Sequence, residues 1–536
     1  MSSVSLAQPI VYPTGLARAI IVITTITAAI MELVDTSIVN VALNDMSGSL
    51  GVSIEDISWV ITSYAIANVI IIPLTSFLAE YFGRKNYYIV SMIIFTIASY
   101  MCGQSHSLVE IIIWRFVQGI GGGALLSTSQ AILFDAFEPK DRPKASGLFG
   151  MGIVLGPTLG PTLGGYIIDH SSWPLIFMIN IPIGILATIL SITFIKKKPS
   201  EGKKKDSIKI DYTGILLLMV GIGCLQFVLE RGESEDWFSS GIIRYCSVFA
   251  VVGLVAFIFY ELNIKQPAVN LKVMKNRNLA FTTIFTFVAG FGLYTSVFVF
   301  PVLAQRVLGF TAYETGITLL APTLCCVFLM PVVGTLMSKG MSPIPLIIIG
   351  YLLFSIYSMM SASVSIDIGR GDFFYPLLIR AVGIAFCQLP LINQAVAGLE
   401  PKDYATGIGL NNMIRQLGGA FGIALANNYI SSRYADHRMN LVSAMPKDSP
   451  LLTDRLNTLA QGIISKTGDA AGAATKALTI LERTVERQAY YLAYLDTFRL
   501  IAIFFVVVLP LTMFLTTKKK TQAELDVMKK AAAEAH

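Results

Sequence analysis

Nearly the whole chain is a succession of long apolar runs broken by short polar connections, and that pattern leaves few folds open. A hydrocarbon layer roughly 30 Å thick is crossed by about 20 apolar residues in a helix, and a helix satisfies its own backbone polar groups where no water reaches. Fourteen segments meet this requirement, at 17–44, 54–80, 88–105, 108–135, 145–168, 174–195, 212–230, 242–261, 279–304, 314–337, 344–363, 374–398, 405–430 and 493–516. The spacing therefore predicts an all-α membrane protein. Composition agrees, with 54% of residues apolar and 14% charged, against about a quarter charged in soluble proteins. The first apolar stretch is too long for the core of a secretory signal and is read as the first span.

Charge decides the orientation, because lysine and arginine in short loops stay on the cytoplasmic side. Basic residues cluster at Arg84, Lys85, Lys140, Arg142, Lys196–Lys198, Lys203–Lys205 and Lys518–Lys520, all on one side when the spans alternate. The short loops opposite hold Arg231, Arg244, Arg306 and Arg370. Both termini are therefore expected in the cytoplasm. A net charge of +6 distributed in this way fixes topology, and nucleic acid is not an expected partner. The six cysteines lie in or beside apolar runs without metal-ligand spacing and read as packed small residues. The chain has no G-x-x-x-x-G-K-[ST], H-E-x-x-H or G-x-S-x-G pattern, so neither an enzyme nor an ATP-driven pump is expected.

A repeat organises the spans. Arg115-Phe-Val-Gln-Gly-Ile120 resembles Arg380-Ala-Val-Gly-Ile384, Glu138-Pro-Lys-Asp141 returns as Glu400-Pro-Lys-Asp403, and Asp35-Thr-Ser-Ile38 resembles Tyr294-Thr-Ser-Val297, at a nearly constant offset. Two six-helix bundles follow, at 1–195 and 279–516. Between them, 196–278 holds a basic linker and two inserted helices, and 517–536 forms a tail. Parallel halves of this kind place a substrate site between them at mid-membrane.

At this point the sequence resembles the major facilitator superfamily, and within it the fourteen-helix drug:proton antiporters of the EmrB type. The first-helix signature appears as Val34-Asp35-Thr36-Ser37-Ile38-Val39-Asn40-Val41-Ala42-Leu43. The loop motif after the second span appears as Ser76-Phe-Leu-Ala-Glu80-Tyr-Phe-Gly83-Arg84-Lys85, with its leading glycine and its aspartate altered. Motif R-x-x-Q-G is intact at Arg115, Gln118 and Gly119. The antiporter motif of the fifth span is present at Gly152, Gly156, Pro157, Gly160, Pro161, Gly164 and Gly165, and Trp173, Phe177, Asn180, Pro182 and Gly184 match the stretch that follows it. The resemblance implies the two-bundle fold, a bacterial inner-membrane location, a proton gradient in place of any cofactor, and a periplasmic adaptor with an outer-membrane channel as candidate partners.

Ionisable groups in hydrocarbon are functional candidates by default. Glu32, Asp35, Thr36 and Asn40 are spaced to share one face of the first helix, which is expected to line a polar cavity. Asp35, with Glu32 second to it, is expected to exchange protons, and Arg115, at similar depth, to influence it. The alternative is that Asp35 and Arg115 form a static pair. Further cavity residues are expected at Gln118, at Phe287, Phe291, Tyr294 and Phe298 along one helical stripe, and at Asn412, Arg415 and Gln416. Glu80, Gly83, Arg84 and Arg142 form an expected cytoplasmic gate between the halves. The glycines of the fifth span permit close helix approach and are expected to seal the cavity as the halves rock. The long segment 431–489 is read either as a lid over the cavity mouth or as a docking element, with a helix from about 473 running into the last span. The expected function is proton-coupled export of lipophilic, cationic or amphiphilic drugs. An exporter of lipid, peptide or metabolite on the same scaffold, or a passive facilitator, is the alternative.

Overall fold

The computed structural model describes residues 12–138, 140–196, 210–367, 369–400, 403–446, 449–467 and 470–515. Most of the basic linker read at 196–209, Pro401 and Lys402 of the repeat, and the tail at 517–536 lie outside the described residues. Among those described, no strand occurs. The helices are α1 (Gly15–Leu50), α2 (Trp59–Phe82, after one helical turn at Ile54–Ile57), α3 (Arg84–Gly103), α4 (Leu108–Asp135), α5 (Arg142–His170) and α6 (Asn180–Phe194, after a turn at Leu175–Met178). They continue as α7 (Tyr212–Arg231), α8 (Gly241–Asn263), α9 (Arg277–Arg306), α10 (Ala312–Ser338), α11 (Pro343–Ser361), α12 (Phe374–Ala395), α13 (Tyr404–Ser443), α14 (Pro450–Thr467) and α15 (Ala473–Val508).

Local chemistry sets several of the ends. Ser107 accepts from the Glu110 amide at the start of α4, and Thr311 with Glu314 forms a reciprocal capping box ahead of α10. Gly83, with φ of 83°, turns the chain between α2 and α3 in a conformation that a side chain would strain.

The contacts repeat as the motifs do. In the first half α1 packs on α5, α2 on α4, and α3 on α4 and α6. In the second half α9 packs on α13, α10 on α12, and α11 on α12 and α15. The last helix is thus the counterpart of α6. The halves meet where α5 packs on α10 and α12, and where α13 packs on α2 and α4. The inserted helices α7 and α8 pair with each other, and α7 leans on both α2 and α13. Outward-facing Val248, Phe249, Val252, Val255 and Phe259 of α8 are exposed, as a lipid-facing surface requires.

Thirteen helices among the described residues are long and apolar enough to cross a membrane. The fourteenth span expected from sequence, α13, fails that composition test because it carries Asn411, Asn412 and Arg415, all of them buried. Its polar groups face other helices, and its length and packing are those of a spanning helix. Helix α13 also runs well past its expected span, to Ser443, and α15 begins at Ala473, as expected for the helix that enters the last span. Beyond the two spans, stacked Tyr434 and Tyr490 rings lie 4.0 Å apart and Arg438 pairs with Glu482. Asp496 accepts from Arg433 at 2.8 Å and lies 2.9 Å from His437 Nε2.

Candidate functional site

The acids of α1 do not share one cavity face as the sequence spacing predicts. Residues three apart on a helix diverge by about 60°, and here that angle sends them to different neighbours. Asp35, fully buried, points into the first half. Its Oδ2 accepts from Arg115 Nη1 at 2.6 Å, and its Oδ1 accepts from Gln118 Nε2 at 2.9 Å and Asn180 Nδ2 at 2.8 Å. Arg115 is held in turn by the Val60 carbonyl at 3.1 Å and by Gln118 Oε1 at 2.8 Å, and stands over the Tyr64 ring at 4.2 Å. Asn180 also donates to Ser99. The result is a compact network joining α1, α2, α3, α4 and α6, with every carboxylate oxygen engaged. Gln118 belongs to it and does not line the seam between the halves.

Glu32 turns the other way. Its Oε1 accepts from Asn68 Nδ2 at 3.0 Å and Tyr64 Oη at 3.4 Å. Asn68 Oδ1 accepts from Gln416 Nε2 at 3.0 Å, which carries the network across to α13. One turn away, Asn412 Nδ2 donates to Ser127 Oγ at 3.1 Å and Gln130 Oε1 at 3.4 Å, also across the seam. Arg415, the residue before Gln416, is buried, and its backbone lies where a Cβ on Gly290 of α9 would meet it.

The remaining expected residues are distributed more widely. Thr36 is half-buried with its hydroxyl on the Leu33 carbonyl, and Asn40 is exposed. Phe287 pairs with Phe421 at 5.6 Å, Tyr294 lies against Gly419, and Phe298 is half-buried. Phe291 is a correction: it is 1% exposed and packs on Phe504 inside the second half, because α9 is enclosed there by α13 and α15.

The expected gate is also corrected. Arg84 forms an ion pair with Asp135, within the first half, and Glu80 is exposed. Only Arg142 crosses the seam, 4.9 Å above the Tyr404 ring. On that same N-terminal side the halves are joined by Ser146 with Asn393 at 3.2 Å and Ser76 with Thr406 at 3.2 Å. A Cβ on Gly147 would meet the Met330 carbonyl, and one on Gly334 the Pro143 carbonyl. The seam is closed there.

The motif glycines of α5 from Gly152 to Gly164 face α1 and not the seam. Cβ atoms at Gly152, Gly156, Gly160 and Gly164 would meet Ile30, Leu33, Ser37 and Ile38 in turn, whereas Gly165 looks into open space. They bring α5 against the helix that carries both acids. Pro157 and Pro161 lie within the same helix, and Pro157 borders a small cavity with Thr158, Thr323 and Arg380.

Asn180, Asn68 and Asp135 were assigned no role from sequence. Asn68 could have been noticed as an amide inside an apolar span, and Asn180 as part of a motif. Asp135 sits at the end of an apolar run and gave no such signal.

The Major Facilitator Superfamily profile matches residues 25–423. The multidrug export protein EmrB of Escherichia coli K12 is 32% identical over 79% of this chain and 82% of its own length. The fatty acid resistance protein FarB of Neisseria gonorrhoeae is 32% identical over 90% of this chain and 93% of its own. Among solved structures, a bacterial homolog of the human lysosomal transporter Spinster superposes with a TM-score of 0.54 at 14% identity, covering 95% of this chain and all of that one, which speaks to the fold alone. With the two-bundle architecture, the repeat and these matches in hand, the chain belongs to the Major Facilitator Superfamily as a multi-pass, EmrB-type membrane transporter, not an enzyme.

Proposed function

We propose that this protein exports lipophilic amphiphilic compounds from the cytoplasm in exchange for protons. It would sit in a bacterial inner membrane with both termini inside and use the proton gradient with no cofactor. The names of its relatives, a multidrug exporter and a fatty acid resistance protein, support a substrate with a large apolar part.

The observation that carries the reading is the division of labour between two buried acids on one helix. Asp35 is saturated by three donors including a guanidinium. Glu32 stands at the seam with one oxygen unengaged. We therefore assign proton exchange in this conformation to Glu32, reversing the order expected from sequence, and give Asp35 the task of holding α1, α4 and α6 together. A seam closed on the N-terminal side and the exposed Asn40 on the other half of α1 support a state that opens away from the cytoplasm. Rocking of the halves would then expose Glu32 to each side in turn.

Everted vesicles containing the protein provide the test. Addition of a transported amphiphile should dissipate an established pH gradient, read by a pH-sensitive dye. Movement of substrate with no proton response would instead identify a facilitator. A periplasmic adaptor would dock on the extended ends of α13 and α15.

A further inference from the structure

The seam holds two buried ionisable groups whose hydrogen-bonding capacity is only partly used. Glu32 is 3% exposed, and its Oε2 accepts from no group among the described residues. Arg415, on the opposite half, is 2% exposed, and its Nε and Nη1 donate to none. Gln416, the next residue, reaches Glu32 through Asn68, and no ion pair joins Arg415 to Glu32 among the described residues. A buried charge is costly unless it is paired and hydrogen-bonded. An acceptor on α1 and a set of donors on α13 are thus both left unsatisfied, on two helices that the hydrogen bonds of Asn68 to Glu32 and of Gln416 to Asn68 link across the seam.

We propose that Glu32 and Arg415 form a two-ended recognition site for a zwitterionic amphiphile. A basic nitrogen of the ligand donates to Glu32 Oε2, and an acidic group accepts from Arg415 Nε and Nη1, both as charge-assisted hydrogen bonds. The Phe287 and Phe421 rings, on the same two helices that Arg415 and Gly290 bring into contact, offer the apolar surface for the tail. This rests on the export reading and deepens it by naming the substrate class. It also accounts for exchange: a proton on Glu32 and an ammonium at Glu32 exclude each other, while Arg415 stays charged throughout and retains the acid end.

The full-length protein in lipid nanodiscs can be titrated calorimetrically, against empty discs, with three probes sharing one eight-carbon tail: N-octylglycine, octylamine and octanoate. The wild type should bind N-octylglycine most tightly. Glu32→Gln should weaken N-octylglycine and octylamine by about 30-fold and leave octanoate unchanged, and Arg415→Gln should weaken N-octylglycine and octanoate to the same extent and leave octylamine unchanged. Arg415→Lys, which keeps the charge, should retain part of the binding, and so controls for misfolding of the glutamine variant. Equal wild-type affinity for octylamine and N-octylglycine, or unchanged N-octylglycine binding by Arg415→Gln, overturns the proposal. Gradient-driven uptake into everted vesicles separates the two readings. Binding in the expected order without uptake keeps the site and removes proton-driven export; uptake of amphiphiles without headgroup preference keeps export and removes the site.

Discussion

Replacing Asp35 by asparagine should destabilise the protein far more than replacing Glu32 by glutamine, although both changes neutralise a buried acid on the same helix. Asp35 accepts three hydrogen bonds, one of them from Arg115 at 2.6 Å. An asparagine in either orientation turns its amide donor toward at least one of these donors, and it leaves a guanidinium that is 1% exposed without its counter-charge. Breaking a buried pair from one side costs about 3–5 kcal/mol. In Glu32→Gln the amide oxygen keeps the bonds from Asn68 and Tyr64, and the new NH2 replaces an oxygen that had no partner, so the change should stay within about 1 kcal/mol. Thermal unfolding of the purified variants in one detergent measures the contrast. The double variant Asp35→Asn with Arg115→Gln should recover part of the loss, because it removes both charges. Equal melting temperatures for Asp35→Asn and wild type, or a fall as large in Glu32→Gln, would refute the account of the network.

Further substitutions probe the surrounding packing. Gly160→Ala should cost about 1–3 kcal/mol, since its Cβ would collide with Ser37 and the Ile38 amide, whereas Gly165→Ala, facing open space, should melt like wild type. Arg84→Asp should lower the melting temperature slightly, by about 1 kcal/mol or less for a partly exposed pair, and the exchange Arg84→Asp with Asp135→Arg should restore it. Cysteines at Ser76 and Thr406, whose hydroxyl oxygens are 3.2 Å apart across the seam, should crosslink under oxidation and block transport until a reductant is added; ready transport by the crosslinked protein would mean that the seam does not open there.

The helices were legible because hydrocarbon imposes a length and an apolar composition that soluble folds do not. Even α13 was readable, since its polar residues interrupt a run otherwise long enough to span. Its continuation to Ser443 lies in polar sequence, where burial against a neighbouring helix end leaves a weaker trace, whereas the start of α15 at Ala473 falls where the helical spacing of Leu478, Leu481, Val485 and Tyr491 placed it. What periodicity cannot supply is the identity of the neighbour. The spacing of Glu32 and Asp35 puts them on adjoining faces, but only the positions of α2 and α4 decide that one acid reaches Asn68 and the other Arg115. The glycines of α5 announced a close approach without saying that α1 would make it. Phe291 fits the aromatic stripe in sequence and still packs inside its own half, because α13 and α15 close around that part of α9. Arg84 carried the motif, and its partner Asp135 stood at the far end of another helix.

The most direct measurement is substrate-induced proton release from the purified protein in weakly buffered solution, followed near neutral pH with a pH indicator. The wild type should release protons on binding an amine-bearing amphiphile. Glu32→Gln should release none, even at concentrations that saturate its weakened site, and Asp35→Asn, where it folds, should still release them. Undiminished release from Glu32→Gln would contradict the assignment of the exchanging group and with it the proposed coupling.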